Sequence, residues 1–163
     1  MIILNQHQIE QKIHRLAIEI LESNYGENEI ILLGINNRGY RFAEMLLDRL
    51  QYISDISLSL HHLTISPQNP LQDPITIDRP LSEMNAKTVM VIDDVANTGR
   101  TLFYACKPLM DILPKRLETV VLVDRKHKSF PIRVDYVGLS LATTLKEDID
   151  VHILEGEQAV YLR

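Results

Sequence analysis

The spacing of hydrophobic positions changes several times along the chain, and each change marks an element. Over residues 6–24 the side chains Ile9, Ile13, Leu16, Ala17, Ile20 and Leu21 fall on one helical face, which predicts an amphipathic helix stopped by Asn24 to Gly26. "EIILLGI" (29–35) is a nearly unbroken apolar run, the pattern of a strand covered on both faces. Gly39 then opens a second helical stretch with Phe42, Ala43, Leu46, Leu47 and Leu50 on one side. "DISLSLHHL" (55–63) alternates apolar with polar and predicts a strand with one wetter face. Residues 64–80 hold four of the seven prolines and no glycine, so they form neither a regular helix nor an inner strand.

Further on, "KTVMVIDDV" (87–95) and "LETVVLVD" (117–124) read as buried strands. "TLFYACKPLMDIL" (101–113) between them reads as a helix that Pro108 should kink or shift. Shorter strands are expected in "VDYVGL" (134–139), "DIDVHIL" (148–154) and "QAVYLR" (158–163). Strands alternating with helices pair in parallel, so the expected fold class is α/β: an open, mostly parallel twisted sheet flanked by helices. With 163 residues, no internal repeat and no linker, residues 1–163 are expected to form a single domain. Ligands of such sheets bind beyond the carboxyl ends of the strands, where the loops 35–39 and 94–101 lie.

Composition narrows the class without changing this picture. The chain is 45% hydrophobic and 24% charged with no glycine or proline bias, as in a globular protein. No apolar run reaches the roughly 18 residues of a membrane span, and the amino terminus lacks the basic lead of a secretory signal. The expectation is therefore a cytoplasmic protein without membrane partners. The lone Cys106 allows neither an internal disulfide nor a cysteine-based zinc site and reads as a small buried hydrophobe. A net charge of -5 argues against a general nucleic-acid coat but leaves room for a local basic patch.

The candidate chemistry is concentrated in "VIDDVANTGRT" (91–101). Ala96, Asn97, Thr98, Gly99, Arg100 and Thr101 run from a buried strand into a helix. Free amides, hydroxyls and a glycine make such a turn a cradle for an anion. An ordinary turn with Thr or Asn as helix cap would look the same over these six residues. Asp93 and Asp94, placed just before it, would repel a phosphate but accept hydrogen bonds from sugar hydroxyls. A ligand with a diol at one end and a phosphate at the other would use both halves. If the strand persists to Asp94, the two carboxylates point to opposite faces and are not a bidentate clamp on one metal.

The earlier loop, "GINNRGYR" (34–41), has the glycine spacing of a P-loop, but Tyr40 and Arg41 stand where that motif needs Lys and then Ser or Thr. What survives is the turn Asn36, Asn37, Arg38 and Gly39, whose amides and guanidinium suit a second polyanion. A third feature is "DRKHKSFPIR" (124–133), where Arg125, Lys126, Lys128 and Arg133 against Asp124 leave a net charge of +3 beside His127. His14 and Arg15 on the first helix could extend this patch toward an RNA partner, although no aromatic platform for bases accompanies it.

"VMVIDDVANTGRT" (89–101) resembles the 5-phosphoribosyl-1-diphosphate (PRPP) signature of type I phosphoribosyltransferases: four hydrophobic residues, two acids, three variable positions and Thr-Gly-x-Thr. Over most of the chain the order of features is similar to the bifunctional family of pyrimidine-operon attenuation regulators and uracil phosphoribosyltransferases. "QKIHRLAIEILESN", "GINNRGYRFAEML" and "VLVDRKHKSFPIRVDYVGLSLATT" (121–144) carry that likeness.

The resemblance implies roles. Asp93 and Asp94 would hold the ribose hydroxyls, residues 96–101 would wrap the 5-phosphate, and Asn36 to Gly39, with Arg38 as a catalytic cation, would contact pyrophosphate. Mg²⁺ would arrive on PRPP with no direct protein ligands. Residues 64–80 would be a mobile flap, and part of 124–144 a hood receiving the nucleobase, uracil first. It also implies a homodimer or higher homo-oligomer and, as the alternative reading, a nucleotide-sensing regulator that binds an mRNA leader. One departure stands out: that family carries an aromatic-Arg-acid-acid run before its flap, whereas this chain has His61-His62-Leu63-Thr64. A guanidinium that could assist departing pyrophosphate is missing there unless Arg79 supplies it.

Overall fold

The computed structural model describes residues 1–144 and 146–163. In chain order they form β1 (Ile2–Leu4), α1 (Gln6–Ser23), β2 (Glu29–Ile35), α2 (Asn36–Ile53), β3 (Ser57–Thr64) and β4 (Thr76–Ile77). Then follow β5 (Thr88–Ala96), α3 (Arg100–Ala105), β6 (Arg116–Arg125), β7 (Tyr136–Leu141), β8 (Ile149–His152) and β9 (Ala159–Leu162). The main sheet has the order β4-β3-β2-β5-β6-β7. All its pairs are parallel except β3 with the two-residue β4.

The apolar runs explain the layering. Ile30 and Leu32 of β2, Met90 and Ile92 of β5, and Val120 and Leu122 of β6 face a core shared with α1 and α2. Ile31, Leu33, Val89, Val91 and Val121 face the opposite core, under Leu102 and Ala105 of α3. Both faces of the central strands are thus fully buried, which is why they read as unbroken hydrophobic runs. Helix α1 starts on a capping box: the Gln8 amide donates to Asn5 Oδ1 at 2.9 Å, and the Asn5 amide donates to Gln8 Oε1 at 2.9 Å.

Topology fixes where a ligand can bind. The crossover after β2 leads outward to β3, whereas the crossover after β5 leads the other way to β6, so strand order reverses between β2 and β5. In such sheets ligands bind in the crevice beyond the carboxyl ends at this switch point, where the start of α2 at 36–39 and the turn at 97–99 lie.

The structure corrects or refines three expectations. The helix at 101–113 is only the six residues of α3; Pro108, lacking an N–H, opens a separate 3₁₀ turn over Pro108–Asp111. Within the stretch 124–144, part of which is expected to act as a hood, Tyr136–Leu141 form β7 and join the main sheet. Tyr136 and Leu139 pack into one core and Val137 into the other, so both faces of this strand are covered. The small second sheet has the order β1-β9-β8 and comes from the two ends of the chain, which the sequence reading left partly unassigned.

A buried polar knot closes the end of the sheet remote from the crevice. Asn24 donates to Ile20 O at 2.9 Å and to Glu118 Oε1 at 3.2 Å, Arg116 donates to Asn24 Oδ1 at 3.1 Å, and the Tyr136 hydroxyl donates to Glu118 Oε2 at 2.8 Å. Burial pushes the Tyr136 hydroxyl up to about 12. Asn24→Ala leaves these partners without a centre and is expected to destabilise the fold by about 2–3 kcal/mol. The check is a lower denaturant midpoint at unchanged slope, with ligand binding at the distant crevice retained.

Candidate active site

Strand β5 does persist past the acids, to Ala96, and carries Asp93 and Asp94 on successive positions at the crevice; each is only 9% exposed. Asp93 Oδ1 accepts the Asp94 amide at 2.9 Å. Burial pushes the Asp93 carboxyl well above its ordinary value, and the charge and hydrogen bonding of Asp94 push it further. The Asp94 amide and the Arg38 cation oppose this only in part. The pair therefore keeps a proton to a higher pH than two exposed aspartates would. Both carboxylates are largely buried, and hydroxyl groups are neutral donors that suit them.

Helix α2 begins hard against this pair. A Cβ on Gly39 would lie 2.8 Å from Ile92 O and 3.1 Å from Asp93 Oδ1, so only glycine lets the helix start come this close. The approach puts the first amides of α2, which have no side-chain cap, beside the acids. Asn37 and Arg38 are exposed here, and Arg38 borders a cavity of about 260 Å³ shared with Val151 to Glu155. The Asn36 carboxamide is already committed: it donates to Ile65 O at 2.9 Å and accepts the Ile65 amide at 3.0 Å. Asn36 thus anchors the proline-rich segment through its side chain and can offer an anion only its backbone.

The 97–99 turn forms the other wall. Gly99 has φ 87° and a Cβ on it would meet Ile132 Cγ2 at 2.4 Å, so conformation and space both demand glycine. Around it a cavity of about 570 Å³ is lined by Pro67, Gln68, Val95 to Leu102, Ser129 and Phe130. The turn is braced from three sides. Thr98 O accepts the Ser129 amide at 2.9 Å, Arg100 Nη2 donates to Pro67 O at 2.8 Å, and Arg125 Nη1 donates to Asn97 Oδ1 at 3.4 Å. Arg125 is itself held by Thr143 Oγ1 at 2.6 Å and Thr144 O at 2.9 Å. Phe130 packs against Phe103 and Tyr104 of α3, with ring centroids 5.7 and 6.0 Å away. Sequence reasoning missed Ile65, Pro67 and Phe130 as braces and counted Arg125 only as a charge, because no local pattern joins them to the turn.

His14 and Arg15 lie exposed on α1, in the layer opposite Ile132 and Val134. Lys128 is tied to Asp124 Oδ1 at 2.5 Å and to the Arg125 carbonyl, and Arg133 pairs with Asp135 at 2.9 Å. Lys126 and His127 are exposed.

In this structure Arg79 is engaged along β3, by Ser59, His61 and Glu83. It donates to Ser59 Oγ at 3.0 Å and pairs with Glu83 at 3.3 Å. Ser59 lies four residues before Leu63, the partner of Ile35 at the crevice end, which is about 13 Å at roughly 3.3 Å per residue. His61 and His62 point to opposite faces of β3, as adjacent strand residues must: His61 lies beside Arg79 and Asp78, and His62 beside Tyr40.

The raised Asp93 carboxyl carries a stability cost that can be measured. A folded-state value above the unfolded one favours folding of the protonated form; that contribution is complete below the ordinary carboxylate range and is lost as pH rises through the raised value. Asp93→Asn mimics the protonated form and keeps the oxygen that accepts the Asp94 amide. It is expected to stabilise the free protein at neutral pH by about 1–2 kcal/mol, with the gap narrowing as pH falls. Thermal denaturation across pH checks both the sign and the narrowing.

Comparison with known proteins agrees with this geometry. Residues 2–155 match the phosphoribosyl transferase domain family. The Bifunctional protein PyrR of Bacillus pumilus is 34% identical over 167 residues, covering 96% of this chain and 92% of that one. The protein of the same name from Haemophilus ducreyi is 39% identical, covering 92% and 88%. Among solved structures, the hypoxanthine phosphoribosyltransferase of Trypanosoma cruzi superposes with a TM-score of 0.80 at 19% identity over 98% of this chain and 94% of its own. A hypoxanthine-guanine phosphoribosyltransferase of Bacillus anthracis gives 0.77 at 20% identity over 97% and 95%. These two likenesses show a shared fold. The chain belongs to the phosphoribosyl transferase domain family and, within it, to the family of the bifunctional PyrR proteins.

Proposed function

We propose that the chain transfers the 5-phosphoribosyl group of PRPP to a nucleobase, uracil first, with release of pyrophosphate. The observation that carries this reading is the buried Asp93-Asp94 pair set between two anion-accepting turns at the switch point of the sheet. One ligand with a diol between two phosphate groups satisfies all three elements. The ribose hydroxyls donate to Asp93 and Asp94, the turn at 96–101 takes the 5-phosphate, and the amides of 36–39 with Arg38 take the pyrophosphate.

Two carboxylates are too few to hold Mg²⁺ alone, so the ion would come with the pyrophosphate and, when bound, would supply charge neutralisation for the leaving group. The residues of the chain supply position and electrostatics. Asp93 and Asp94 fix the sugar and face the positive charge that develops at C1 as its bond to pyrophosphate oxygen breaks and a bond to a ring nitrogen forms, the nitrogen's proton passing to the departing pyrophosphate. Arg38, at the rim beside the pair, balances the departing anion.

Residues 64–80 act as the flap that keeps water from this centre. Their base is moored to both turns, at Ile65 by Asn36 and at Pro67 by Arg100. The base approaches past Phe130 and the segment that follows it. The chain works in the cytoplasm as a homodimer or larger homo-oligomer, and exposed Lys126, His127 and Arg133 are the contacts it offers to an mRNA leader.

The test is a panel. The protein is incubated with Mg²⁺, PRPP and uracil, hypoxanthine, guanine, xanthine or adenine in turn, and pyrophosphate release is followed. Release with uracil above the other bases is expected. Asp93→Asn combined with Asp94→Asn should abolish PRPP binding in calorimetry while the protein stays folded; unchanged affinity would show that the diol lies elsewhere.

A further inference from the structure

His62 lies near the end of β3, just before the proline-rich segment, and its surroundings give it a task of its own. Its ring stacks on Tyr40 of α2, with centroids 4.3 Å apart and planes inclined by 15°. Its Nε2 lies 2.8 Å from the carbonyl oxygen of Asn36. A carbonyl only accepts, so Nε2 carries the hydrogen in this contact.

Asn36 is an unusual residue to find so fixed. It has φ 52°, in the left-handed region that non-glycine residues seldom adopt. Its carboxamide is spent on both backbone groups of Ile65, and its carbonyl on His62. Three hydrogen bonds to β3 and the start of the flap therefore over-determine one strained turn residue, the condition under which such strain persists.

The consequence is electrostatic. The residues after Asn36 offer amides to an anion, and a carbonyl swinging into the same space would repel it. The imidazole N–H holds that carbonyl toward β3, and the Tyr40 ring holds the imidazole. From this juxtaposition we infer that His62 is a positioning residue for pyrophosphate: it keeps the 36–39 turn in its anion-accepting form without touching the ligand. The inference rests on the transferase reading and gives that reading a residue of its own.

Two substitutions separate the parts. His62→Phe keeps a ring over Tyr40 and removes the donor. His62→Gln keeps an N–H at the reach of Nε2 and removes the ring. Calorimetry measures each protein with Mg²⁺-pyrophosphate and, separately, with ribose 5-phosphate, which lacks the pyrophosphate end.

His62→Phe is expected to weaken pyrophosphate binding roughly tenfold, the scale of one lost hydrogen bond, and to leave ribose 5-phosphate unchanged. His62→Gln should bind pyrophosphate within about threefold of the natural protein, since the donor is kept. Wild-type affinity for pyrophosphate in His62→Phe overturns the inference. So does equal weakening of both ligands, which would indicate general damage to the fold, and so does a His62→Gln protein as weak as His62→Phe. If the natural protein binds neither ligand, the transferase reading itself falls, and the inference with it.

Discussion

Everything at the crevice depends on how closely the start of α2 approaches the end of β5. With no Cβ on Gly39, the helix rests against Ile92 O and Asp93. That contact has two effects at once. It covers the acid pair, so Asp93 loses water and its carboxyl is pushed up, and it brings the helix amides and Arg38 to the side from which a polyanion must come. A larger residue at this position would separate the two halves of the site and return the acids to solvent. Tyr40, the next residue, stacks on His62, so β3 becomes part of the support.

Acids beside an anion cradle would seem to repel the ligand that the cradle is built for. The arrangement resolves this through spacing and through ligand chemistry. In the proposed function, acids and cradle amides are not asked to bind the same atoms: the carboxylates would meet hydroxyls, and the two turns would meet phosphates on either side. Burial makes the conflict sharper in the free protein, where the Asp93 carboxyl is pushed above its ordinary value, and would make the interaction stronger once the donors of a diol arrive, because the medium screens little. The free site is thus strained toward its ligand, and the stability lost there is the counterpart of the affinity gained.

Much of this was legible in the sequence, and the reason is locality. Strands β2, β5 and β6 are covered on both faces and therefore appear as unbroken apolar runs, and α1 and α2 show their buried faces by period. The acid pair and the two turns could be found because each is contiguous and sits where a strand ends. What could not be read joins residues far apart or too few to make a pattern. β1 has three residues and is a strand only because β9, from the other end of the chain, pairs with it. The commitment of Asn36 to Ile65 spans 29 positions, that of Arg125 to Asn97 spans 28, and that of Arg100 to Pro67 spans 33. Each reassigns a side chain that, read alone, was free to meet a ligand. The same holds for Arg79, whose position before the strand β5 left its direction open until Ser59 and Glu83 fixed it.

If Asp93 and Asp94 receive the diol of the donor as proposed, the Asp93 carboxyl, which burial holds above its ordinary value, must ionise on binding. Titration calorimetry of Mg²⁺-PRPP binding, in two buffers of different ionisation enthalpy, measures the protons exchanged. The account predicts net proton release by the natural protein, largest at mildly acidic pH and fading as pH rises through the raised Asp93 value. Binding without proton release at any pH, or with proton uptake, would contradict it.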